Sequence, residues 1–220
     1  MKKNIRIFII AGEKSGDELG GALIHELKKI YNNIEFLGIG GNKMISQGLN
    51  SIINIKLLSI MGITEVLLKI PRILKLLKFT EKEILKFKPD ILITIDSPGF
   101  NLRLQNKLKD KDMKRVHYVA PSVWAWKSYR AKQMSKYLDL LLVLFPFEKK
   151  FFIKEGLSTV FVGHPIAYDN QYLRNEFYNE KSLNNKSILK IALLPGSRLS
   201  EIKKLFPIFI ETAKMLRKKK

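Results

Sequence analysis

Short, mainly apolar runs alternate along the chain with longer stretches in which apolar residues recur every three or four positions. The runs Ile5–Ala11 and Ile91–Ile95 are rich in isoleucine, which is typical of parallel strands buried on both faces. The longer stretches have the period of amphipathic helices. This alternation predicts an α/β fold built on a Rossmann-like, doubly wound parallel sheet.

One polar segment divides the chain. Residues 166–187 are rich in asparagine and tyrosine and have no periodicity, which is typical of a linker or a crossover. A strand at 190–194 and an amphipathic helix are predicted after it. We therefore expect a domain at 1–165 and the first βα unit of an incomplete second domain at 188–220.

Two predicted strands end in residues that can do chemistry. Ile91–Ile95 stops at Asp96 before a Pro–Gly turn, and the strand at 116–119 leads into a hydroxyl and two indoles. Open parallel sheets bind ligands at the carboxyl ends of their strands, so these residues are predicted to line one crevice. The candidates are Asp96, Ser122, Trp124 and Trp126.

Three ring-bearing residues at or near this rim, His117, Trp124 and Trp126, also have a structural interpretation. His117 adjoins the same rim, but it falls within the strand, so we expect it to be buried and structural. Trp124 and Trp126 either form a wall of the crevice or are core aromatics.

A glycine-rich turn follows the first strand, with Gly12, Gly16 and Gly20 at four-residue spacing. Such a turn allows backbone N–H groups to approach a bound anion or sugar, and Ser15 and Asp17 can cap the helix after it. The dinucleotide pattern G-x-G-x-x-G is absent. The alternative is a tight strand-to-helix turn without a ligand.

The charge of the chain is strongly positive. It carries 40 Lys and Arg against 20 Asp and Glu, a formal net charge of +20. This favours an anionic partner, either nucleic acid or an acidic membrane surface. The lysines are scattered, however, and Lys, Ile and Asn are all abundant, so codon bias is the alternative. No cysteine is present and the three histidines lack metal-ligand spacing, so no metal site is predicted.

The stretch 69–87 mixes apolar and basic side chains, with Pro71 placed to lie in the first turn of a helix. A helix of this kind either lies on an anionic membrane or packs on the sheet with a solvated basic face. No apolar run approaches the ~20 residues needed to cross a bilayer. The first apolar run contains Arg6 and lacks a cleavage pattern, so we expect a strand there and a cytosolic protein.

Nearly all of the chain resembles one family, the bacterial lipid-A-disaccharide synthases, which join two acylated glucosamine units. The motifs that carry the resemblance are AGEKSGDELGG at 11–21, FLGIGGNKM at 36–44, MGITEVL at 61–67, IDSPGFN at 95–101, HYVAPSVWAWK at 117–127, LFPFEKKFF at 144–152, FVGHP at 161–165 and LLPGSR at 193–198.

The resemblance implies the N-terminal, acceptor-side half of a B-type glycosyltransferase whose C-terminal half is truncated. The implied substrates are UDP-2,3-diacylglucosamine and 2,3-diacylglucosamine 1-phosphate (lipid X), and the products are lipid A disaccharide 1-phosphate and UDP. No cofactor is implied. The chain is expected in the cytoplasm, either free or peripheral on the inner face of the inner membrane. A second copy of the chain or a complementing C-terminal half is its candidate protein partner.

The resemblance also suggests roles for single residues. Asp96 is the candidate general base, with Glu13 and Asp17 as alternatives, because many members carry a second acid where this chain has Gly99. Asn101 and Ser15 would hydrogen-bond sugar hydroxyls or phosphate, together with the turn containing Gly12 and Gly16. Arg198 would meet the donor diphosphate.

Two other functions remain open. One is a different B-type sugar transferase, such as one acting on peptidoglycan precursors. The other is a basic α/β domain that binds RNA or DNA, which the charge favours. Because no nucleic-acid motif is present, no nucleic-acid partner is expected.

Overall fold

The computed structural model describes residues 4–59, 66–167, 191–196 and 199–218. These belong to two compact units, within residues 1–172 and 173–220, and each is described by itself. The strands of the first unit are β1 (Ile5–Ala11), β2 (Ile34–Ile39), β3 (Asn50–Ser51), β4 (Ile91–Ile95), β5 (Lys114–Tyr118), β6 (Leu140–Val143) and β7 (Thr159–Phe161). Its helices are α1 (Lys14–Ile30), α2 (Asn42–Ser46), α3 (Lys56–Ser59), α4 (Val66–Phe87), α5 (Pro98–Lys107), α6 (Tyr129–Met134) and α7 (Lys149–Ile153), with single 3₁₀ turns at Pro146–Glu148 and Pro165–Ala167.

The seven strands form one parallel sheet in the order β3-β2-β1-β4-β5-β6-β7. Chain order reverses between β1 and β4, the central pair, as it does in doubly wound dinucleotide-binding folds. The predicted α/β fold is therefore confirmed. The carboxyl ends of β1 and β4 meet at the point where such sheets bind their ligands.

Helices cover the sheet on both faces. In β1, Ile7 and Ile9 belong to a core that includes α1, whereas Phe8 and Ile10 belong to a core that includes α4 and α5. A third core joins α6 and α7 to β6. Each fully buried side chain of this size contributes roughly 1.5–3 kcal/mol to stability, so β1 anchors both faces.

Several element boundaries differ from the prediction. Helix α5 begins at Pro98, within the Pro–Gly pair that was expected only to turn the chain. Proline is tolerated there because the first helical N–H has no partner within the helix. The expected first-turn position of Pro71 is wrong: α4 already runs from Val66, which places the proline inside the helix. The short elements β3 and α3 were not predicted.

The second unit contains α8 (Leu199–Lys218), so the predicted amphipathic helix is confirmed. The strand predicted at 190–194 is wrong, because 191–196 has neither helical nor strand structure. A strand needs backbone partners beside it, and the described part of this unit provides none. The domain limits at 165 and 188 remain predictions.

None of the helices in the described part of the chain combines the length and apolar character that crossing a bilayer requires.

Candidate functional site

A cavity of about 840 Å³ lies in the first unit at the carboxyl edge of the sheet. It opens between the first turns of α1 and the ends of β4 to β7. Its walls are mostly apolar, from Leu19, Leu23, Val119, Leu142 and Leu144. Its polar lining comes from Ser15, Glu18, Glu26, Asp96 and His164. A position at this edge and a mostly apolar lining with a few polar groups are typical of sites that bind partly apolar molecules.

Asp96 lines the cavity from an unusual backbone conformation. Asp96 and Ser97 are both left-handed, with φ of 51° and 46°. The Asp96 N–H donates to the Tyr118 carbonyl at 2.9 Å, which ties this turn to the next strand. Two consecutive left-handed residues other than glycine are strained, and such strain concentrates at functional sites. The turn holds a half-buried carboxylate at the cavity wall.

Asn101 lies beneath that turn and is fully buried. Its Nδ2 donates to the carbonyls of Ile95 at 3.0 Å and Asp96 at 2.8 Å. The sequence suggested that Asn101 binds sugar hydroxyls. The structure places it below the cavity, where it fixes the backbone that carries Asp96.

A series of buried polar side chains lies next to Asn101 and joins α5, β4 and β5. Gln105 Nε2 donates to Thr94 Oγ1 at 3.0 Å, and Thr94 Oγ1 lies 2.7 Å from His117 Nδ1. Burial lowers the pKa of His117 to about 4, so its imidazole is neutral at pH 7. His117 is therefore structural, as expected, and does not belong to the rim.

The glycine turn packs directly against the Asp96 turn. A Cβ atom at Gly12 would lie 2.0 Å from Ser97 Oγ, so only glycine permits this approach. Gly16 is buried beside Ile95. Ser15 is exposed and lines the cavity, but it caps no helix, because α1 begins at Lys14 with no side-chain cap.

Asp17 has a structural role that the sequence did not show. Its Oδ1 accepts backbone N–H bonds from Gly41 at 2.8 Å and Met44 at 3.0 Å, and its Oδ2 accepts one from Lys43 at 3.0 Å. The carboxylate thus caps α2 rather than its own helix, which corrects the capping prediction. Buried and fully engaged, Asp17 is poorly placed as the base. Glu13 is the N-cap residue of α1 and is absent from the cavity lining.

The family model for lipid-A-disaccharide synthetase matches residues 7–220 of the chain. The chain belongs to this family. It is similar to the lipid-A-disaccharide synthase of Vibrio parahaemolyticus, with 45% identity over 221 residues that cover 100% of this chain and 58% of the relative. The Xanthomonas axonopodis pv. citri enzyme is 44% identical over 213 residues, 96% of this chain and 48% of the relative.

The chain thus spans about half the length of the relatives it matches. Among solved structures, that of Anabaena Alr3699/HepE in complex with UDP and glucose covers 73% of this chain at 12% identity, with a TM-score of 0.43. The resemblance seen in the sequence motifs is confirmed by the family match.

The tryptophans of the family-like PSVWAW motif lie on the surface. Trp124 is 51% and Trp126 is 67% exposed, so neither is a core aromatic, and neither lines the cavity. Ser122 is exposed too, and its carbonyl accepts N–H bonds from Ala125 at 3.1 Å and Trp126 at 3.0 Å. None of the three therefore belongs to the lining of this cavity.

Sequence reasoning missed most of the lining residues, among them His164, Glu18, Glu26 and Tyr118. His164 follows β7, so the same rule of strand carboxyl ends that found Asp96 would have found it. Glu18 lies on the exposed side of α1, and Tyr118 ends β5 with its pKa raised by burial. Arg198 lies outside the described residues. Within the described ranges, no three His, Asp or Glu side chains are grouped so as to hold a metal ion.

Proposed function

We propose that the chain supplies the acceptor-side domain of a glycosyltransferase that moves 2,3-diacylglucosamine from UDP to lipid X. The products are lipid A disaccharide 1-phosphate and UDP. Family membership supports this reaction over that of another B-type transferase. Because the chain spans about half of its relatives, the activity is proposed for the chain joined or bound to a complementing C-terminal half.

The position of Asp96 carries the proposal. An acceptor hydroxyl oxygen attacks the anomeric carbon of the donor, and the bond from that carbon to the UDP oxygen breaks with its electron pair leaving on UDP. The hydroxyl proton passes to the Asp96 carboxylate, which acts as general base. Its strained turn and the buried Asn101 beneath it keep the carboxylate at the cavity wall.

The cavity suits one acylated sugar in size and character. Its volume of about 840 Å³ lies within the usual range for small-molecule sites. Apolar side chains such as Leu23 and Leu142 can contact the start of an acyl chain, while Ser15 and His164 can hydrogen-bond the sugar. Arg198 remains the candidate for the donor diphosphate.

Helix α4 is the proposed contact with the membrane that holds such substrates. Its inner side packs on the sheet through Leu77 and Ile84, so packing and membrane contact are compatible. Its outer side exposes Leu74 at 53% and Phe79 at 39% among basic residues. The basic residues exposed there are Arg72, Lys75, Lys78, Lys82 and Lys86. The cytoplasmic leaflet of the inner membrane is an anionic surface of the kind that attracts such a helix.

The test is transfer of radiolabel from UDP-2,3-diacylglucosamine to lipid X. The enzyme is the chain fused to the C-terminal remainder of the Vibrio parahaemolyticus relative. Asp96→Asn keeps the shape of the side chain but removes the base, so we expect kcat to fall on the order of 10²-fold or more with little change in KM.

The control is Asp110→Asn, an exposed carboxylate on the turn after α5. It should leave kcat unchanged. Full activity in the Asp96→Asn fusion would overturn the base assignment. A fusion that stays inactive although it is folded and binds lipid X would overturn the proposed reaction.

A further inference from the structure

Four aromatic side chains lie on two loops at the carboxyl edge of the sheet. The Trp124 and Phe147 rings meet edge to face with centroids 5.6 Å apart, and Phe145 stacks on Phe147 at 5.9 Å. Each of these three is 46–51% exposed. With Trp126, which is 67% exposed, they form what we call the aromatic cluster. A contiguous exposed apolar surface of this kind marks an interaction site.

Both loops are built to hold the rings outward. In the first, the Ser122 carbonyl accepts two backbone N–H bonds that close the turn around Trp124. In the second, the buried Glu148 carboxylate accepts the Phe145 N–H at 3.0 Å and fixes the turn. Hydrogen-bonded turns thus hold these aromatic side chains in their exposed positions. Glu148, being buried, adds no negative charge to the surface.

Positive charge surrounds the cluster. Residues 120–138, which follow the carboxyl end of β5, contain four Lys and Arg and no Asp or Glu. Lys127 lies over the Trp126 ring, with its Nζ 5.4 Å from the centroid. A cavity of about 520 Å³ adjoins the cluster and is lined by Lys132, Lys150 and Lys154, with Glu155 as its acid. The surface therefore combines aromatic rings with amines.

We infer that the aromatic cluster and the adjoining lysine-lined cavity form a docking surface for an anionic lipid bilayer. Tryptophan and phenylalanine rings favour the boundary between headgroups and acyl chains, and lysines favour the lipid phosphates. A protein partner fits less well, since protein interfaces are depleted in lysine. The inference rests on the proposed membrane partner, but it uses residues distinct from those of α4 and from the cavity that contains Asp96.

The tryptophans themselves provide the readout. The chain contains two, both in the cluster, so intrinsic tryptophan fluorescence reports on this surface. The 220-residue chain, and its Trp126→Phe variant with Trp124 as the sole indole, are mixed with phosphatidylcholine vesicles with and without phosphatidylglycerol. We expect a blue shift and quenching by lipids brominated on the acyl chain, in the anionic vesicles only.

Variants separate the cluster from the rest of the surface. The double variant Phe145→Ser, Phe147→Ser should weaken vesicle binding about tenfold or more. The reason is that two large apolar rings are no longer transferred from water into the bilayer when the protein binds. The matched control is Ile45→Ser on α2, which removes an apolar side chain that is 47% exposed. It should bind as the parent does, and circular dichroism checks that each variant is folded.

Three results would overturn the inference. Co-sedimentation with anionic vesicles without bromine quenching would assign membrane contact to another surface, and would leave the proposal for α4 intact. A blue shift with glucosamine 1-phosphate or inorganic phosphate alone would indicate a sugar-phosphate site. A shift that depends on protein concentration without vesicles would indicate a second copy of the chain.

Discussion

At the scale of single residues, the site depends on two turns that touch. Gly12 begins the connection from β1 to α1, Ser97 lies in the connection from β4 to α5, and a Cβ on the glycine would collide with the serine side chain. Ser97 is also left-handed, with φ of 46°, a conformation that costs an L-residue about 1–2 kcal/mol. The position of Asp96 therefore depends on the small size of its neighbour across the gap.

We expect Gly12→Ala to destabilise the chain by about 2 kcal/mol, because the new methyl group must displace the Ser97 turn. Ser97→Gly removes the colliding atoms and relieves the left-handed strain, so the same substitution should cost far less in that background. Urea unfolding of the four proteins gives the coupling between the two sites.

Gly16→Ala is the matched control for this double-mutant cycle of Gly12 and Ser97. A Cβ there would lie at the ordinary distances of 3.4 Å from Ala11 and 3.5 Å from Ile95. Since alanine is also the better helix former, this variant should be as stable as the parent or slightly more stable. If Gly12→Ala lowers the free energy of unfolding as much in the Ser97→Gly background as in the parent, the proposed collision between the two residues is wrong.

At the scale of elements, the sequence predicted what is local. The apolar runs identified β1 and β4, and the acid directly after a buried strand pointed to Asp96, which lines the cavity. It could not show that the Asp17 carboxylate caps α2, because those partners lie 24 to 27 residues away. The apolar cavity wall, such as Leu142, looks like ordinary strand core, and only the assembled sheet shows which apolar residues are left uncovered.

Helix α4 provides the prediction at this scale. Reversing two charges on its outer side, with Lys75→Glu and Lys78→Glu, should weaken binding to phosphatidylglycerol-containing vesicles about tenfold or more, because each basic residue near an anionic surface contributes about 1 kcal/mol. The effect should shrink at high salt, where screening weakens all such attraction. Co-sedimentation measures both.

A charge-matched variant distinguishes α4 from the general positive charge of the chain. Lys109→Glu and Lys111→Glu change the net charge equally on exposed residues of the turn after α5. If this pair weakens vesicle binding as much as the α4 pair, the contribution comes from net charge and not from the helix.

At the scale of the whole molecule, the positive charge and the polar interior have different consequences. The net charge of +20 is spread along the sequence and favours any anionic partner, so it does not by itself select a surface. The buried chain from Asn101 to His117, by contrast, links β4, α5 and β5 at the centre of the sheet. Its histidine couples the stability of the whole fold to pH.

The sign of that coupling follows from the pKa of His117, which burial lowers from 6.5 to about 4. Above about pH 6.5 the imidazole is neutral in both the folded and the unfolded chain, so its contribution to stability is fully present. As pH falls below 6.5, the unfolded chain takes up a proton that the folded chain refuses. Stability is therefore lost between pH 6.5 and about pH 4.

Between about pH 7 and pH 5, we expect the free energy of unfolding of the parent chain to fall by about 2 kcal/mol from this histidine alone, as measured by urea unfolding at each pH. His117→Asn retains polar atoms for Thr94 but has no imidazole to protonate. This variant should be less stable than the parent at pH 7, but its free energy of unfolding should not show the fall between pH 7 and pH 5, which is the pH slope due to His117. His25→Asn, on the exposed side of α1, should retain the slope of the parent. Equal slopes in all three proteins would show that the acid sensitivity arises elsewhere, for instance from carboxylates, and that His117 does not link the fold to pH.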